Sequence, residues 1–119
     1  MATSATPRLK SEIWVQAHLR RCSAEGVFAH VAKKGDPDAG QVFIKVYLGN
    51  GRARLRARMP DDDGRLVWQA PIEECDGAAE EAAVDAYLAR EAKFDPDFWI
   101  IEIEDPQGRT LLDHDAEGF

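Results

Sequence analysis

The stretch Val42-Phe43-Ile44-Lys45-Val46-Tyr47-Leu48-Gly49-Asn50-Gly51-Arg52-Ala53-Arg54-Leu55-Arg56-Ala57-Arg58-Met59 decides the fold. On its first arm Val42, Ile44, Val46 and Leu48 alternate with Phe43, Lys45 and Tyr47. On its second arm Ala53, Leu55, Ala57 and Met59 alternate with Arg52, Arg54, Arg56 and Arg58. A period of two belongs to a strand with one buried face. Asn50-Gly51, between the arms, is a favoured pair for a two-residue hairpin loop, where both positions need a positive φ. A simple loop there sets Gly49 opposite Arg52. It then pairs Leu48 with Ala53, Val46 with Leu55, Ile44 with Ala57 and Val42 with Met59, so both aliphatic sets share a face. The same register places Lys45 against Arg56, Phe43 against Arg58 and Tyr47 against Arg54.

Outward from this hairpin, Ser11 reads as the N-cap of a first helix carrying Ile13, Trp14, Ala17, Cys22 and Ala24, with Gly26 as its stop. Residues 27–33 read as a strand, and Gly35-Asp36-Pro37-Asp38-Ala39-Gly40 as a turn. Pro60 ends the second arm, Asp62-Asp63-Gly64 turns, and residues 66–70 form a fourth strand. A second helix, rich in Ala and Glu, is predicted from Asp76 or Gly77 to Ala92. Asp95-Pro96-Asp97 breaks the chain before a strongly β-forming run from Phe98 to Glu104, and residues 109–112 are compatible with a short final strand. The expected class is α+β: an antiparallel meander sheet of about five strands with two helices, in the order helix, four strands, helix, strand.

The 119 residues suit one domain, expected over 8–113, with a disordered tail at 1–7 and a loose one at 114–119. Hydrophobic residues make up 45% and charged residues 31%, a composition that supports a packed core. No stretch approaches the roughly 18–20 apolar residues of a membrane span, and residues 1–7 do not resemble a secretory signal, so the cytoplasm is the expected location. In that reducing compartment Cys22 and Cys75 are expected to be thiols, read as small buried hydrophobes. His18 and Cys22 stand four apart, but no second paired motif accompanies them, and no metal site is assigned.

The net charge of −7 is unevenly spread. Residues 1–60 carry 11 Lys+Arg against 4 Asp+Glu, and residues 61–119 carry 4 against 18. Halves so opposed either neutralise one another across the fold or leave a dipolar surface. The question is sharpest at Arg52, Arg54, Arg56 and Arg58, where alternate residues on a strand lie about 6.5–7 Å apart. Lys45 opposite Arg56 would cost a few tenths to about 1 kcal/mol, so a negative partner is expected among them. Carboxylates of the same chain, Glu102 and Glu104 included, are the nearer source. An external anion is the other, with Tyr47 available for stacking. The groups Asp36 with Asp38, Asp61 to Asp63, and Asp95 with Asp97 coincide with turns, where Asp bonds its own backbone.

The segments Gly26-Val27-Phe28-Ala29, Lys34-Gly35-Asp36 with Ala39-Gly40, Tyr87-Leu88-Ala89-Arg90, and Asp95-Pro96-Asp97-Phe98-Trp99 leading into Glu102-Ile103-Glu104-Asp105 resemble a family of small alphaproteobacterial proteins catalogued as a domain of unknown function. The resemblance spans roughly Arg8 to Asp113. It implies a stand-alone bacterial cytoplasmic domain and carries no cofactor, substrate or catalytic residue to transfer.

Three functional readings follow, and the balance leans away from an enzyme. The first is a non-catalytic protein-interaction module that self-associates, as a homodimer or with another protein. It would use the basic hairpin and an apolar second face made by Phe43, Tyr47, Val67, Phe98 and Ile100, which either a helix or, as favoured here, another subunit covers. The second is an anion or nucleic-acid binder using Arg52, Arg54, Arg56, Arg58, Lys45 and Tyr47. The third is a metal-dependent hydrolase built on Asp95, Asp97, Glu102 and Glu104. No catalytic residue and no cofactor are assigned.

Overall fold

The computed structural model describes residues 9–112; the expected tails at 1–7 and 114–119 lie outside the described residues. Helix α1, Ser11–Ala24, buries Val15, His18 and Cys22, spaced three and four apart on one stripe. Ser11 is its first residue and not its cap. The Ser11 hydroxyl donates to the Gly40 carbonyl, while the amides of Ser11 and Glu12 donate to the carbonyls of Asp38 (3.2 Å) and Pro37 (2.9 Å). Loop carbonyls therefore satisfy donors that a capping side chain would otherwise take.

Six strands follow: β1 Phe28–Lys33, β2 Val42–Gly49, β3 Arg52–Pro60, β4 Leu66–Gln69, the two-residue β5 Ala79–Glu80, and β6 Trp99–Glu104. Helix α2, Glu81–Phe94, stands between β5 and β6. The class is α+β, but the sheet is mixed and is not a meander. Its order is β1-β6-β2-β3-β4, with β5 against β3. The last strand is inserted between β1 and β2, antiparallel to β1 and parallel to β2, with Ile44 beside Ile101 and Val46 beside Ile103. Burial explains the insertion. Every residue from Val42 to Val46 is buried, so β2 needs cover on both faces and a neighbour along both edges.

Since β6 lies between β1 and β2, the connection over residues 34–41 crosses its end. There the Asp36 amide donates to the Asp97 carbonyl (2.9 Å), the Trp99 amide to Gln41 (2.7 Å), and the Trp99 indole to the Asp36 carbonyl (2.8 Å).

The hairpin turns where expected, with Asn50 and Gly51 at φ 56° and 72° and Gly49 opposite Arg52. Its register differs. Gly49 has φ +97°, and Leu48 drops out of the ladder, so that Tyr47 pairs with Ala53, Lys45 with Leu55, and Phe43 with Ala57. This bulge shifts every later pair by one. The two aliphatic sets consequently lie on opposite faces. Val42, Ile44 and Val46 join Trp99, Ile101, Ile103, Val15 and Cys22 on the α1 side. Ala53, Leu55 and Ala57 join Phe43, Phe98, Val84 and Leu88 on the α2 side.

Two further expectations are corrected. Asp76-Gly77 does not open α2: both have positive φ (55° and 80°), and Cys75 and Ala78 exchange backbone hydrogen bonds around them. This is a second two-residue turn. It delivers Ala79 and Glu80 to β3, opposite Ala53 and Arg52. Cys22 is buried, but Cys75, beside that turn, is exposed. Residues 109–112 form no strand.

The crossing over β6 leaves no room at Gly35, where an added Cβ would lie against the Asp97 carbonyl and 2.5 Å from the Phe98 carbonyl carbon. Gly35→Ala is expected to lower unfolding stability by about 2 kcal/mol or more, read from the denaturant midpoint.

Candidate functional site

The register shift redistributes the charges. Lys45 lies on the α2 side and does not face Arg56; its cross-strand partner is Leu55. The like-charge opposition of the simple register is therefore absent. Tyr47 and Phe43 likewise face Ala53 and Ala57 and not Arg54 and Arg58.

The Lys45 side chain is only 7% exposed and sits in a ring of carboxylates: Glu81 and Asp85, each 2.8 Å away, and Glu102 at 3.9 Å. Glu81 and Asp85 occupy the first turns of α2, four apart on one helix face. That spacing in an acidic helix start was the available signal for them. Burial opposes the ammonium charge, but the hydrogen bonds from Lys45 to Asp85 and Glu81 and the Glu102 charge outweigh it. The Lys45 pKa is raised above its ordinary 10.5.

The arginines remain on one side of β3, the α1 side, each half-buried between the buried Ala53, Leu55 and Ala57. Arg52 donates to the carbonyls of Cys75 (2.7 Å) and Ala78 (3.2 Å), with Glu80 at 3.6 Å. Arg54 donates to the carbonyl of Gly108. Arg56 holds the half-buried Glu74 carboxylate at 2.7 Å, and Arg58 lies opposite Trp68 of β4. Burial and the neighbouring Arg56 charge push the Arg54 pKa below its ordinary value. Glu74 had no sequence signal, because its loop carries no period.

The expected apolar second face is covered from within. Phe43 and Phe98 are 1% and 2% exposed; Phe43 meets Phe98 edge-on at 5.0 Å and Tyr87 of α2 at 6.1 Å. Tyr47, Val67 and Ile100 are half-buried on the same side. The carboxylates Asp95, Asp97, Glu102 and Glu104 do not converge: Asp95 accepts the Asp97 amide in its own turn. Among the described residues no group of three or more His, Cys, Asp or Glu is placed to hold a metal ion.

Among the described residues the edge of the sheet at β1 stays open. Its Phe28 is 62% exposed, and its ring lies 5.8 Å from that of His30, also exposed.

At the far end of β6, Asp105 is buried and accepts hydrogen bonds from the Arg109 guanidinium (2.8 Å) and from the amides of Arg109 and Gln107. These bonds, the guanidinium's foremost, hold its pKa below the ordinary 3.8 despite burial. A depressed carboxylate pKa stabilises the fold above the unfolded-state value, and the contribution is lost as pH falls through the folded one. Wild type is therefore expected to lose stability on acidification below about pH 4, and Asp105→Asn to lose less over the same range, measured by thermal unfolding against pH. Lys45→Met strands three carboxylates around an apolar side chain. It is expected to cost roughly 3 kcal/mol in urea unfolding, the range of a broken buried pair.

No curated protein matches the chain. Among solved structures, the crystal structure of a DUF1491 family protein from Caulobacter crescentus CB15 superposes with a TM-score of 0.78 at 38% identity, covering 92% of this chain and 97% of that one. An NMR structure of a DUF1491 family protein from the same organism gives 0.76 at 40% identity over the same shares. The solution structure of protein Atu0922 from A. tumefaciens gives 0.65 at 36% identity, covering 82% of this chain and 86% of that one. A family profile described as "Protein of unknown function (DUF1491)" matches residues 9–113, and the chain belongs to that family.

Proposed function

We propose that this domain is a non-catalytic protein-interaction module of the cytoplasm that associates with itself. The observation that carries the reading is the open β1 edge, with a phenylalanine 62% exposed on a strand that has one neighbouring strand among the described residues. Exposed strand edges are pairing templates, and a large exposed aromatic beside one adds apolar area for a partner to bury. The charged rows supply the contrast. Lys45 and Arg56 are held by carboxylates of the same chain, and Arg52 and Arg54 by its carbonyls, so these cations are already occupied. An external anion would have to displace those contacts, which weighs against the nucleic-acid reading. Two unpaired thiols accord with a reducing compartment, and no described helix is long and apolar enough to cross a membrane.

Sedimentation velocity across the micromolar range tests the proposal. A concentration-dependent shift from monomer to dimer is expected; a monomer at every concentration overturns self-association.

A further inference from the structure

We infer that two copies of the domain join by antiparallel pairing of β1 with β1 across a two-fold axis, so that one sheet runs through both. The inference rests on the self-association proposed above and specifies its geometry. Among the described residues β1 pairs only with β6. Alternate residues of the strand thus direct their amides and carbonyls outward, where an extended strand is the geometry that satisfies them. The opposite edge is blunted: β4 has four residues and is soon followed by Pro71.

The chemistry of β1 suits a copy of itself. Its sequence, Phe-Ala-His-Val-Ala-Lys, contains no proline and no acid. Its one permanent charge is drawn away, because the Lys33 ammonium bonds the carbonyls of Pro96 and Phe98 and lies 4.4 Å above the Phe98 ring. A reversed identical strand therefore brings no carboxylate and no free ammonium against another of its kind, as an isologous contact requires. The nearest carboxylates, Glu104 and Glu102, stand one strand further in, opposite Phe28 and His30, so what the strand itself offers a partner is backbone and an apolar pattern. On the α1 side a recess of ≈ 350 Å³ lined by Leu19, Ser23, Gly26, Val27, Phe28 and Ala29 adjoins the strand and leaves space for incoming side chains. The ladder with β6 is irregular between Val31 and Lys33, which limits the regular run to residues 28–31. So short a contact belongs to the small, dissociable class of interfaces.

Two measurements test the pairing. In Phe28→Asp, a solvent-facing change whose folding is checked by its thermal midpoint, dimer affinity is expected to fall about tenfold or more, equivalent to ~1.4 kcal/mol. In a Cys75→Ser background, single cysteines at positions 28 to 32 (Phe28→Cys, Ala29→Cys, His30→Cys, Val31→Cys, Ala32→Cys) are then oxidised. Antiparallel self-pairing brings one position, or two adjacent ones, within disulfide reach of the partner copy, and cross-linking falls away on both sides. A dimer that tolerates Phe28→Asp and yields no cross-link in this window overturns the β1 pairing alone. A wild-type monomer at every concentration overturns the pairing and the self-association together.

Discussion

The insertion of β6 between β1 and β2 is the constraint around which the rest of this structure is arranged. It makes β2 a central strand, buried on both faces, and forces the chain from β1 to travel over the end of β6 before β2 can begin. That crossing requires very close backbone contact, and glycine is found where it is closest. The same loop supplies the carbonyls that close the start of α1. Strand order, loop and helix position are therefore one interdependent arrangement. Two of the segments that carried the family resemblance meet at it: Lys34-Gly35-Asp36 with Ala39-Gly40 lies against Asp97, and the Trp99 indole reaches back to Asp36.

Much of the local structure was legible because the relevant signals are short in range. The 3.6 period of α1, the alternation of β2 and β3 and the Asn50-Gly51 turn all appear where the side chains indicate. The register was not legible, since a positive φ at Gly49 removes Leu48 from the ladder and nothing in the alternation records that loss. Burial explains the missed strand order as well. Phe43 and Tyr47 read as part of an apolar second face, and it is α2 with its carboxylates that covers this side. Asp76-Gly77 was a missed turn signal of the same kind as Asn50-Gly51, masked by the alanines and glutamates that follow it.

The charge asymmetry along the chain finds its explanation in pairing across the fold. Lys45 from the basic half meets Glu81, Asp85 and Glu102 from the acidic half, and Arg52 and Arg56 meet Glu80 and Glu74. The one-residue bulge makes this possible by placing the lysine and the arginine row on opposite sides of the sheet, each within reach of its own acids. A dipolar surface was the other available outcome. The excess negative charge that remains helps keep separate copies apart in solution.

The placement of β6 also bears on how the polypeptide is made. A ribosome delivers β1, β2, β3 and α2 before the strand that belongs between the first two of them, and until it emerges Ile44 and Val46 lack their neighbours Ile101 and Ile103. Until β6 emerges the nascent chain carries apolar strand surface uncovered, a window in which holding chaperones or premature aggregation compete for it.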